Sequence, residues 1–80
     1  MPVQKAVADR ISQLCRQYGY TINGISIHSG VPQATVKSIM NGESMNPGIA
    51  TVKKLCDGFG ITLGEFFCTK EFDELEQEIK

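Results

Sequence analysis

Residues 29–42 read SGVPQATVKSIMNG. Gly30 and Pro32 punctuate its start, and Asn41-Gly42 punctuates its end. Pro suits the first turn of a helix: its fixed φ is already helical, and the N–H it lacks would have had no partner there. Asn-Gly is a strong helix stop, because both residues tolerate the left-handed backbone that closes one. Between these marks, Val36, Ile39 and Met40 fall on one side of a helix. Gln33, Ala34, Lys37, Ser38 and Asn41 fall on the other. From the turn to the stop there is one Lys, no Arg and no acid. The outer side is a face of shaped polar groups with little charge.

Upstream, Val3, Val7, Ile11, Leu14, Cys15 and Tyr18 recur at helical spacing, with Pro2 suited to the first turn and Gly19 to the end. Thr21 is an N-cap for a short second helix carrying Ile22, Ile25 and Ser29. The Glu that would complete its capping box is absent; Gly24 stands there and costs about 1 kcal/mol relative to Ala. Downstream, after the loop ESMNPG, Ile49, Val52, Leu55, Cys56 and Phe59 predict a fourth helix ending near Gly58 and Gly60. Thr62-Leu63-Gly64-Glu65 is a full capping box for a short fifth helix ending at Phe66-Phe67. Phe72, Leu75 and Ile79 then mark a narrow apolar seam in a sixth helical segment.

The expected fold is all-α: a compact five-helix bundle plus a short acidic C-terminal helix or tail. Its centre is two short helices joined by a tight Gly-containing turn. Residues 1–68 are expected to form one domain and residues 69–80 an acidic amphipathic tail.

At 80 residues, with 41% of them hydrophobic, the chain suits one small globular domain. It has no apolar run of ~18 residues and no N-terminal apolar core, so a cytoplasmic location without membrane is expected. The net charge of −1 conceals two unlike parts. Residues 1–54 hold six basic side chains (Lys5, Arg10, Arg16, Lys37, Lys53 and Lys54) against Asp9 and Glu43. Residues 55–80 hold seven acids against Lys70 and Lys80. A basic body with an acidic end is a usual layout for a polyanion binder. The three cysteines, Cys15, Cys56 and Cys68, are odd in number and form no C-x-x-C. Each lies among apolar residues at helical spacing, which reads as a small buried hydrophobe. His28 has no Cys or acid partner at ligand spacing. With no nucleophile–base pair, phosphate loop or carboxylate pair, the expectation is no enzyme, no metal and no cofactor.

From about Val7 to Phe67 the chain resembles the XRE or Cro/phage-repressor type of helix-turn-helix, the lambda-repressor-like DNA-binding domains. Leu14 followed seven residues on by Thr21 matches that family's approach to its second helix. Ser29-Gly30-Val31 matches its turn, and Pro32-Gln33-Ala34-Thr35-Val36 the start of its recognition helix. Asn41-Gly42, Pro47, Thr51 and Leu55 match the passage to its fourth helix. Gly60-Ile61-Thr62-Leu63-Gly64-Glu65-Phe66-Phe67 matches its closing motif.

The resemblance implies a transcriptional regulator on double-stranded DNA, with a recognition helix at about residues 32–41 in the major groove. It also implies a homodimer on a pseudo-palindromic operator. Carried over, Gln33, Ala34, Lys37 and Ser38 face base edges, while Thr21, Thr35 and Asn41 meet phosphate. Gln pairs with adenine, Lys reaches guanine, Ala touches a thymine methyl and Ser serves any base edge. A second possibility is a protein–protein interaction module of antitoxin or anti-regulator type on the same fold. The acidic tail, with its narrow seam, motivates it.

Three departures bear on this. Ile22 stands where the family commonly has Gln. Glu43, Ser44 and Met45 stand where it often has Lys or Arg, and an acid near a phosphate repels it. Each lost phosphate contact removes roughly one unit from the salt slope of binding. Lys5, Arg10, Arg16, Lys53 and Lys54 are alternative sources of positive charge from the flanks. Finally, an Arg late in the family's first helix often pairs with a Glu late in its third, and those positions hold Cys15 and Met40 here. Losing both partners leaves no orphan charge, and a well-packed apolar pair is often as stable as a buried ion pair.

Overall fold

The computed structural model describes residues 2–43 and 46–77. They form six helices and no strand: α1 (Val3–Tyr18), α2 (Ile22–Ser29), α3 (Gln33–Met40), α4 (Ile49–Phe59), α5 (Leu63–Phe67) and α6 (Lys70–Asp73).

The boundaries have local causes. Thr21 Oγ1 accepts the Gly24 N–H at 2.9 Å and starts α2. Thr62 and Glu65 complete their box: each side-chain oxygen accepts the other's backbone N–H at 3.0 Å. Pro2 and Pro32 stand at the N-cap rather than inside the first turn. Each offers only a carbonyl: Pro2 O accepts the N–H groups of Lys5 and Ala6, and Pro32 O those of Thr35 and Val36.

The core draws on every helix except α6. α1 gives Val7, Ala8, Ile11, Leu14 and Cys15, and α2 gives Ile25. The turn gives Val31, α3 gives Val36 and Ile39, and α4 gives Val52, Leu55, Cys56 and Phe59, with Ile61 and, from α5, Phe66. Burying a Val, Leu, Ile or Phe side chain is worth roughly 1.5–3 kcal/mol. No polar or charged side chain is buried among the described residues.

Four expectations are revised. Tyr18 is 45% exposed: it lies in the last turn of α1, and its ring only edges onto Phe59, 6.2 Å between centroids. Gly58 is not a terminator, because α4 runs on to Phe59 and Gly60 closes it. Gly58 is instead where α4 meets α2: a Cβ there would lie 2.9 Å from Ser29 Cβ and 3.0 Å from Ser29 Cα. Cys68 is exposed, because it stands at the C-cap of α5, beyond the reach of the helical periodicity. The tail helix stops at Asp73, after one turn, and Leu75–Gln77 are not helical. One turn closes few hydrogen bonds for the residues it orders. It holds because Phe72 sets its ring against Phe67 at 4.9 Å and Phe66 at 6.0 Å. Ile79, the last residue of the expected seam, lies outside the described residues, as do Ser44 and Met45. Met40 packs half-buried against the cluster that contains Cys15.

Burial pushes the Cys15 thiol above its ordinary range, with nearby Arg16 opposing. At Cys56 burial does the same, reinforced by Asp57. Both therefore stay protonated in the fold. This contribution to stability is complete below the ordinary thiol range and is lost as pH rises through it and beyond. At about pH 8 a thiol reagent is expected to label Cys68 alone in the native protein, with Cys15 and Cys56 reacting only after denaturation. Equal labelling of all three in the native state would contradict the burial.

Candidate nucleic-acid interface

The segment from α2 to α3 is held by its own small side chains. Gly30 takes φ 75°, a left-handed backbone that a Cβ would strain, and its N–H reaches Ser26 O at 3.0 Å. Ser26 Oγ donates to Val31 O across the turn. Ser29 Oγ accepts the Val31 N–H at 3.2 Å. Val31 is buried behind this network, which fixes the angle at which α3 departs.

α3 is two-sided. Val36 and Ile39 anchor it in the core, and Met40 is half-buried beside them. Gln33, Ala34, Lys37 and Asn41 are exposed, and Thr35 and Ser38 are half-buried. Ala34, Thr35 and Ser38 line one shallow, open depression. Thr21 lies apart from these, exposed at the start of α2. Its oxygen is engaged by Gly24, and its hydroxyl hydrogen enters no described bond.

Glu43 stands just past the end of α3 and is tied back to it. Gly42 takes φ 74° and turns the chain back. The Glu43 N–H then bonds Ser38 O at 2.9 Å. Glu43 lines the same depression as Ala34, Thr35 and Ser38. Asn41 Nδ2 approaches Glu43 Oε1 at a long 3.4 Å. The signal in the sequence was the glycine at 42, whose freedom allows the reversal; the destination depends on the third helix being in place.

The flanking cations are mostly engaged. Lys5 pairs with Asp9 at 2.8 Å, and Lys53 pairs with Asp57. Both pairs are exposed, where such bridges are worth about 0–1 kcal/mol. Arg16 donates to Ser12 Oγ at 3.0 Å. Arg10 does not face outward as a spare charge: its Nε donates to Phe66 O at 2.7 Å and its Nη2 to Glu65 O at 2.8 Å. Among the described residues, Lys37 and Lys54 are in no ion pair.

No group of three His, Cys, Asp or Glu among the described residues is placed to hold a metal. No described helix is long and apolar enough to cross a membrane.

An all-helical bundle with a serine- and glycine-built turn leading into a two-sided third helix defines a helix-turn-helix protein. The chain belongs to the Cro/C1-type helix-turn-helix DNA-binding domain family, whose model matches residues 10–71. It is similar to a solved phage protein, the crystal structure of the prophage Lp1 protein 11, with a TM-score of 0.79 at 30% identity. That likeness covers 90% of this chain and 95% of the other. No curated protein matches the chain.

Proposed function

We propose that the chain is a sequence-specific transcriptional regulator that lays α3 in the major groove of double-stranded DNA. It does so in the cytoplasm, as a homodimer on a pseudo-palindromic operator. The observation that supports this most is the division of α3, apolar and anchored on one side, exposed and polar on the other. In this reading Gln33, Ala34, Lys37 and Ser38 face base edges. Gln33 presents a donor and an acceptor for adenine N6 and N7, and Lys37 reaches guanine O6 or N7. Thr21, Thr35 and Asn41 meet phosphate, Thr21 through its hydroxyl hydrogen. With Arg10 engaged at α5, phosphate grip falls to backbone amides, hydroxyls and the few remaining cations. Two half-sites held at once make up for weak grip on one.

The test is selection of bound sequences from random duplex DNA at two salt concentrations. One symmetric motif is expected, with weaker binding at the higher salt. Gln33→Ala and Lys37→Ala should each lower affinity for that motif about tenfold and relax preference at its contacted base pair, at an unchanged melting temperature. Binding indifferent to both substitutions and to salt would remove the proposal.

A second reading, a protein-interaction module of antitoxin or anti-regulator type, draws support from a separate surface. Val3 and Ile49 are exposed, Ile49 by 64%, and share an apolar groove with Pro47 and Phe67. Grouped apolar exposure of this kind marks contact surfaces. The two readings are compatible, since a regulator of this type can also hold a protein partner.

A further inference from the structure

We propose that Glu43 is a specificity-determining residue that selects cytosine in the bound sequence. The inference rests on the reading that α3 lies in the major groove. It differs from the sequence-level view of Glu43 as a residue that merely repels phosphate.

Three observations carry it. The backbone of Glu43 is tied to α3 by its bond to Ser38 O, so the residue moves with the reading helix. Glu43 lines one shallow depression together with Ala34, Thr35 and Ser38, two of which stand at base-facing positions in that reading. Among the described residues it has no cationic partner; its one described side-chain contact is the long bond from Asn41.

A carboxylate in that position is an acceptor with no donor. Pressed against a base edge that offers only acceptors, it loses water and gains nothing, which is costly for a charged group. Guanine shows N7 and O6, both acceptors, and thymine shows O4 and a methyl group. Adenine shows an amino group beside the acceptor N7, so one carboxylate oxygen is satisfied while the other faces a lone pair. Cytosine shows its N4 amino group with no acceptor of its own beside it in the groove. Glu43 therefore accepts from cytosine N4 and rejects the other three bases. The repulsion that weakens binding to arbitrary sequence sharpens the choice of the correct one.

The experiment selects duplexes from a random pool with the full chain, its Glu43→Ala variant and its Glu43→Gln variant, and measures each affinity at fixed salt. Circular dichroism confirms that the variants keep the fold; an exposed side chain with one long contact leaves no reason for loss. The wild type is expected to prefer cytosine at one position per half-site by about tenfold or more. In Glu43→Ala this single preference disappears while the others stay. In Glu43→Gln it moves towards adenine, whose paired donor and acceptor match an amide. If Glu43→Ala binds all sequences more tightly by the same factor and keeps every preference, the residue is a repulsive charge and the inference is overturned. A wild-type preference for another base at the affected position overturns it too. A wild type that selects no sequence overturns the groove-reading role of α3 itself, an outcome visible before any variant is compared.

Discussion

Gly58→Ala is expected to destabilise the protein by about 2 kcal/mol, although alanine is the better helix former by ~1 kcal/mol. Gly58 lies inside α4 with no unusual backbone, so helix propensity alone predicts a gain. Packing reverses the sign. The added Cβ would stand 2.9 Å from Ser29 Cβ, 3.0 Å from Ser29 Cα and 3.1 Å from Ser29 N. Two of these three atoms are backbone, so no side-chain rotation relieves the contact. α4 has to move away from α2, a helix it packs against and with which it shares one core. For a chain of this size each kcal/mol shifts the midpoint by roughly 4–8 °C, so thermal unfolding should occur some ~10 °C lower. An unchanged or raised midpoint would show that the two helices can separate at no cost. The displaced atoms belong to the residue that begins the turn into α3. DNA binding should therefore fall as well, beyond what the unfolded fraction explains.

Arg10→Ala is expected to cost about 2–3 kcal/mol, the largest effect of removing any exposed or half-exposed cation in this chain. The guanidinium bridges elements at opposite ends of the sequence. Nε donates to Phe66 O at 2.7 Å, Nη2 to Glu65 O at 2.8 Å, and Nη1 to Gln13 Oε1 at 3.0 Å. The plane also lies over the Phe66 ring, 6.0 Å from its centroid. The carbonyls of Glu65 and Phe66 belong to the last turn of α5, where a helix offers its carbonyls no N–H donors of its own and where positive charge is favourable. The fork of the guanidinium satisfies both at once. Arg10→Lys keeps the charge without the fork and should recover less than half of the loss. Urea unfolding of the three proteins measures this directly. An Arg10→Ala variant within about 0.5 kcal/mol of wild type would mean that water replaces the clamp. The same geometry explains why Arg10 is a poor candidate for gripping phosphate: taking it would strip α5 of its fastening.

These two residues also mark where the sequence stops being informative. What it shows well is chemistry completed within a few positions. Thr21 capping α2, Thr62 with Glu65 capping α5, and Gly30 turning between α2 and α3 each involve partners at most four residues away. The periodicity of Val7, Ile11 and Leu14 likewise announces a buried face, and the ordered motifs carry the family. Arg10 has acceptors 55 and 56 residues distant, and they are backbone carbonyls, which every residue possesses. No side-chain pattern advertises such a bond. Gly58 is legible as a glycine but not as a contact, because its reason is an atom of Ser29. Cys68 and Tyr18 lie where helices end, and there a period of 3.6 stops predicting which way a side chain points. The exposed polar face of α3 was legible because an amphipathic helix displays its two sides in one short stretch. The place of Glu43 beside it was not, since it depends on a reversal at Gly42 and on the helix it returns to.

The pairing of Lys5 with Asp9 and of Lys53 with Asp57 bears on how the protein is shared out along a genome. Random sequence retains a regulator through its uncommitted cations, and a chromosome presents on the order of 10⁶–10⁹ such sites. Three of the five described lysines sit beside their own acids, in exposed pairs that must be opened, at a cost of about 0–1 kcal/mol each, before those lysines hold such a site. On the proposed DNA-reading role, fewer copies are parked on irrelevant sequence and more are at large in solution. Its operator is then found mainly by repeated three-dimensional encounters and little by sliding, and a small number of molecules suffices to keep it occupied.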